Sequence, residues 1–255
     1  MQNTHFTQTE IHIPHHNREI YGIFFTPNEC KAFPVVIFSH GFNGTTDSYL
    51  ERCRHLASHG IGALTFDFCG GSVHSKSSLA TSEMTLFTEE EDLYAVIDFI
   101  QSQKNVNQNN IFLFGESQGG LITALAADTR KDEIQGVLLL YPAFCIPDNW
   151  NAKFPKEEDI PEKEDLWGVT LGKAFFTTLR GYDVFKHIGK FEKNVIIFHG
   201  DKDDIVPLQY GEKAHSLYPH AEIKVFHGEG HGFSEPANKQ VMQMTLDFVQ
   251  NNLTS

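Results

Sequence analysis

The 255-residue sequence predicts an α/β fold: a mostly parallel eight-stranded sheet with helices on both faces and a small inserted cap. Three observations carry this. Short, continuous apolar runs such as "VVIF", "IFLF", "GVLLL" and "VIIF" read as strands buried on both faces, as in parallel sheets. Stretches rich in helix formers separate them, and repeated strand–helix alternation implies crossovers that cover both faces. About fifty residues between "LLLYPAF" and "NVIIFHG" break the rhythm, far more than an ordinary connection needs. They read as a helical cap, about 144–190, inserted into a single domain spanning 1–255.

In chain order, "TEIHIP" and "REIYGIFFTP" alternate about "HHN" and form an antiparallel hairpin. "PVVIFSHG" is a strand, followed by a helix around "DSYLERCRHLASHG". "GALTFDF" is a strand, and "TEEEDLYAVIDFIQSQ" a helix whose run Glu89–Asp92 reads as an acidic first turn, favourable at a helix N-terminus. "NIFLFG" leads into the helix "LITALAA", and "QGVLLLYP" is a strand. The insertion holds the charged "PKEEDIPEKED" and the aromatic "LWGVTLGKAFFTTLRGY". After it come the strand "NVIIFHG", a helix near "LQYGEKAHSLY", the strand "EIKVFHG" and a helix around "ANKQVMQMTLDFVQNN".

Composition narrows the function. A formal charge of −13 without a Lys/Arg cluster argues against nucleic acid as a partner. The opening "MQNTHFTQTEIHIPHHN" lacks the basic and apolar regions of a signal peptide, and no apolar run suits a membrane span. Cys30, Cys53, Cys69 and Cys145 are scattered and read as small buried hydrophobes in a cytoplasmic protein. The expected partner is a small-molecule ester, with no membrane and no cofactor; a homodimer is left open.

The chemistry starts at Gly115-Glu116-Ser117-Gln118-Gly119, where a buried strand meets a helix. In a G-x-S-x-G elbow the serine adopts a strained backbone that lifts its hydroxyl above the sheet, and the flanking glycines remove clashing Cβ atoms. A serine hydroxyl needs a base and a group orienting that base. The loop after "NVIIF" offers Asp201, Asp203 and Asp204, and the loop after "EIKVF" offers His227 and His231. These are the places, in the order serine, acid, histidine, that such a fold requires. As plain alternatives, the aspartates form a solvated turn and the histidines are two of 14 that fall in loops by accident. An oxyanion hole would use the Gln118 amide at the helix N-terminus and the Phe42 amide in "HGFNG". His40 reads as a brace for that loop, and Glu116 as facing away from substrate.

"SHGFNG", "SEMTLFTEEEDLYAVIDFI", "GESQGG", "HGDKDDIVP" and "GEGHGF", with the insertion in place, make the chain resemble the α/β-hydrolases over nearly its full length. Within them it resembles the bacterial cinnamoyl (feruloyl) esterase-like group. The resemblance implies that the acid is Asp203, with Asp204 facing its own loop, and that the base is His231. It further implies a carboxylesterase acting on small aromatic, hydroxycinnamoyl-type or short-acyl esters. That group holds a phenolic hydroxyl with polar cap residues, including a tyrosine. Here Asp148 is the candidate polar partner, and Phe175 and Phe176 stand where the tyrosine is sought. The group's D-x-x-G-x-G-x-S turn is replaced by "DFCGGSVHS".

Trp150, Phe154, Trp167, Phe175, Phe176 and Phe185 fit an acyl pocket or the cap's own core equally well. The cap's length and aromatic content suggest that it roofs the acyl side of Ser117, with Phe175 and Phe176 expected to bind substrate from the helix nearest the pocket. His12, His15 and His16 lack a carboxylate or cysteine spaced to complete a metal site. Alternative readings are a monoacylglycerol lipase or lysophospholipase sharing the same catalytic residues, a small serine peptidase, and a ligand-binding protein on a dead hydrolase scaffold.

Overall fold

The computed structural model describes residues 6–28 and 32–254; the reading of Cys30 as a buried hydrophobe lies outside them. Strands β1 (Phe6–His15) and β2 (Arg18–Pro27) pair antiparallel from Phe6 opposite Pro27 to His15 opposite Arg18. Their two-residue turn places His16 at φ 53°, the left-handed backbone that such tight hairpins require. There follow β3 (Phe33–Ser39), α1 (Leu50–Ser58), β4 (Gly62–Phe66), α2 (Leu86–Gln101), β5 (Val106–Glu116), α3 (Ser117–Thr129) and β6 (Gly136–Leu140). The insertion contributes α4 (Ile146–Lys153), β7 (Lys163–Leu166), β8 (Val169–Gly172) and α5 (Lys173–Thr178). The chain then returns through β9 (Asn194–Gly200), α6 (Leu208–Leu217), β10 (Ala221–Phe226) and α7 (Glu235–Asn251).

Eight strands form one sheet in the order β1-β2-β4-β3-β5-β6-β9-β10. The first two pairings are antiparallel and the other five parallel. This is the α/β-hydrolase fold. Alternate residues of each central strand enter opposite cores. Ile37, Leu113, Leu139 and Ile197 pack with α2, α3 and the insertion. Phe38, Phe114, Leu140 and Phe198 pack with α1 and α7. Each such burial contributes roughly 1.5–3 kcal/mol, which explains why these runs contain no polar break.

The insertion is less helical than expected. "EKEDLWGVTLG" forms the antiparallel hairpin β7–β8, turning at Trp167 (φ 51°) and Gly168 (φ 81°). Positive φ at both turn residues is the backbone of a twisted two-residue hairpin turn, and it overrides the helix formers on either side. Among the described residues, Cys53, Cys69 and Cys145 are buried free thiols, and no helix is long and apolar enough to cross a membrane.

Candidate active site

The elbow forms where β5 ends at Glu116 and α3 begins at Ser117, whose φ is 52°. A side chain rarely tolerates that conformation, and here two glycines permit it. A Cβ on Gly115 would lie 2.4 Å from the Gly119 carbonyl oxygen, and one on Gly119 would lie 2.3 Å from the His40 carbonyl oxygen. Either contact would push α3 off the sheet.

The loops after β9 and β10 bring a carboxylate and an imidazole to this hydroxyl. His231 Nε2 lies 3.0 Å from Ser117 Oγ, and His231 Nδ1 lies 2.8 Å from Asp203 Oδ2. Asp203 Oδ1 accepts the amides of Ile205 (3.0 Å) and Val206 (2.8 Å). With one oxygen so engaged, the other is left to accept Nδ1–H, which puts the lone pair of Nε2 toward Ser117. Burial alone would raise the Asp203 carboxyl, but the bonds from His231 and the two amides hold it below its ordinary value. The buried His199 donates from Nε2 to the Val206 carbonyl at 2.8 Å and pins the same loop. Tyr141 packs on the His231 ring, with centroids 4.5 Å apart.

The other candidates in these loops go elsewhere. Asp201 pairs with the exposed His227 at 2.9 Å and accepts the Gly228 amide, tying the two loops together. Asp204 does not face its own loop as expected: it is exposed on the rim of the cavity above Ser117.

The loop after β3 passes beside the nucleophile, so close that a Cβ on Gly41 would lie 3.2 Å from Ser117 Cβ. Among the described residues the Phe42 amide donates no hydrogen bond, and the Gln118 amide belongs to the first turn of α3, where amides have no partner within the helix. His40 braces the loop as expected. Its Nε2 accepts the Phe68 amide (3.0 Å), so Nδ1–H donates to the Gly41 carbonyl (2.8 Å). Burial pushes its pKa down, in keeping with that neutral tautomer. Glu116 faces away from the cavity and accepts from the Tyr49 hydroxyl at 2.8 Å.

Above Ser117 opens a cavity of about 410 Å³, floored by Phe42 and Gln118 and walled by Ile146, Trp150, Leu166, Trp167, Phe175 and Val206. Asn149 and Lys153, which sequence reasoning passed over, add polar groups to the wall. Phe176 does not line it. It is 2% exposed and packs on Trp150 (4.7 Å between centroids) and Phe154 (5.3 Å). Neighbours on a helix point about 100° apart, and the phase of α5 leaves Phe175 at the cavity's edge and turns Phe176 to Trp150 and Phe154. Phe154 and Phe185 likewise lie outside the lining. Asp148 is exposed outside it too and accepts from the Tyr210 hydroxyl at 2.9 Å. Asp148 stands one position from Asn149, and the turn of α4 carries it to the outer face.

Of the "EEED" run, Glu89 lies in the first turn of α2 as expected, but the run does not simply face water. Glu89 is 1% exposed and accepts from the Gln118 side chain, and Asp92 is 0% exposed and accepts the Cys69 amide. The sequence holds a signal for this: Glu89 falls on the apolar stripe of Leu86, Leu93, Val96 and Ile100 at helical spacing. Among the described residues no group of three His, Cys, Asp or Glu could hold a metal ion.

Residues 31–174 match the model of a family described as serine aminopeptidase, S33. The monoglyceride lipase of Saccharomyces cerevisiae is 26% identical, covering 90% of this chain and 88% of its own length. Est1E from Butyrivibrio proteoclasticus, solved with ferulic acid bound, superposes with a TM-score of 0.87 at 26% identity, over 95% of this chain and 98% of its own. Acetyl xylan esterase 1 from Thermoanaerobacterium sp., at 17% identity and a TM-score of 0.72 over 97% of this chain and 85% of its own, shares the fold.

Proposed function

The chain belongs to the S33 family of α/β-hydrolases, and from that premise we propose that it is a serine carboxylic-ester hydrolase working through an acyl-enzyme. Its substrates are small aromatic esters of hydroxycinnamoyl type, or short-acyl esters. The observation that carries the reading is the unbroken hydrogen-bonded chain from Ser117 Oγ through His231 to Asp203 at the floor of a largely apolar cavity. In this reading His231 Nε2 takes the Ser117 proton as Oγ attacks the ester carbonyl, and Asp203 stabilises the imidazolium. The amides of Phe42 and Gln118 receive the oxyanion. His231 then protonates the departing alcohol and later activates the deacylating water. Every step uses groups of the chain itself, and a net charge of −13 favours release of the carboxylate product.

Two comparisons bear on substrate. The Est1E structure holds ferulic acid, which supports an aryl-acyl ester, and the aromatic wall of Trp150, Trp167 and Phe175 suits a flat ring. The yeast monoglyceride lipase supports a second reading, an acylglycerol substrate for the same apolar wall. Turnover of methyl ferulate, 4-nitrophenyl acetate, a long-chain 4-nitrophenyl ester, a monoacylglycerol and an aminoacyl anilide separates these. The expected result is turnover of methyl ferulate and the acetate, lost by roughly 10³- to 10⁶-fold in Ser117→Ala without change in far-UV circular dichroism. Ser117→Ala retaining a tenth of the activity sinks the mechanism. Cleavage of the anilide alone makes the protein a peptidase.

A further inference from the structure

Glu89 is buried on a face of α2 otherwise filled by Leu86, Leu93 and Val96. Its Oε2 accepts a 2.8 Å hydrogen bond from Gln118 Nε2, and Met84 Sδ is 3.9 Å from the same nitrogen. Its Oε1 lies against Gly71. A Cβ at that glycine would be 3.0 Å from Oε1 and 3.2 Å from His40 Cε1, so Gly71 is clasped between the carboxyl and the imidazole. The Gly71 carbonyl in turn accepts the amide of Asn43, the neighbour of Phe42, at 3.0 Å. One buried carboxyl thus touches the Gln118 side chain directly and reaches the Phe42 loop through Gly71.

We propose that Glu89 is a positioning residue for the oxyanion hole, setting the Gln118 amide against the Phe42 amide through the Gln118 side chain on one side and the Gly71 loop on the other. The proposal rests on the ester-hydrolase reading above. Oxyanion donors work by being fixed in advance, and displacement by about 1 Å costs on the order of a hundredfold. Glu89 serves as a neutral acid. The groups facing it are the Gln118 amide from α3, the neutral His40 from the β3 loop, and Asp92 one turn along α2, with Arg18 from β2 reaching Asp92 at 3.5 Å. Burial, reinforced by Asp92 and opposed by the Gln118 bond, pushes Glu89 up to about 8. Below that pH no charge sits under the oxyanion. Above it the Gln118 bond survives, but a buried anion opposes the negative charge that forms in the transition state.

Steady-state kinetics of wild type, Glu89→Leu and Glu89→Gln on the ester that wild type turns over test this. Glu89→Leu removes the acceptor, and kcat is expected to fall about 10- to 100-fold with KM changed less than about threefold. Glu89→Gln keeps a neutral acceptor and restores kcat to within about threefold of wild type. Wild-type kcat declines as pH rises past about 8, and that decline is absent in Glu89→Gln. Wild-type kcat in Glu89→Leu, a Glu89→Gln as slow as Glu89→Leu, or the same alkaline decline in Glu89→Gln overturns the proposal. If Glu89→Leu fails to fold, the pH profiles of wild type and Glu89→Gln decide alone. A wild type that hydrolyses no ester is a different result: it removes the ester-hydrolase reading, and this inference with it.

Discussion

Both rings are buried, but Phe175 borders the cavity above Ser117, whereas Phe176 lies behind it and meets Trp150, Phe154 and Phe175 itself. Truncating each therefore does different damage. Phe176→Ala opens a void in the cap, a loss of about 3–5 kcal/mol for a buried phenylalanine. It should lower the melting temperature and depress turnover of aromatic and acetyl esters alike. Phe175→Ala should lower kcat/KM for methyl ferulate about 5- to 150-fold and nearly spare 4-nitrophenyl acetate. Paired kinetics and thermal melts check both, and a selective loss in Phe176→Ala would contradict the packing. Sequence could not separate the two rings. A six-residue helix has too few turns to reveal its phase, and aromatic residues suit a pocket and a core equally. Asp203 and Asp204 were likewise inseparable by spacing: only the family resemblance chose between them, and only the fold turns one inward.

At the scale of the element, α2 departs furthest from its reading. Acidic residues beside a helix start normally face water, and the capping box of Thr85 and Thr88 sets that start correctly. The helical phase then carries two of the four acids into the core, where burial pushes Glu89 to about 8 and Asp92 to about 7. A carboxyl whose folded pKa is raised stabilises the fold fully below its unfolded value, and that contribution is lost as pH rises through the folded one. The melting temperature of wild type relative to Glu89→Gln should therefore fall between about pH 4.5 and 8. A difference that stays constant across that window would mean that Glu89 is ionised in the folded protein throughout. The hairpin β7–β8 is the other element that was misjudged. Four-residue strands between charged stretches carry almost no period-two signal.

For the whole molecule, the strands of a mostly parallel sheet and the chain order of serine, acid and histidine were legible because each central strand is a sharp apolar run that ends in a short loop. What the sequence withheld was the third dimension of the insertion, whose packing is set by aromatic contacts between segments far apart in the chain. The same distance governs assembly. His231 lies 114 positions from Ser117 and arrives on the loop after β10. That strand is the sheet's open margin, bonded along one side to β9 and mostly half-buried. Such margins open with less free energy than the interior. The proton acceptor is therefore held at one of the sheet's two margins, expected to fray before the interior and to dock after it. In rising urea, ester turnover should vanish at a lower concentration than the far-UV circular dichroism signal. On dilution from urea, turnover should return after that signal, whereas coincident transitions would show the margin to be as firm as the core. In time as well as in space, the histidine would complete the molecule: most of the sheet would stand in an inert protein until its last strand settles.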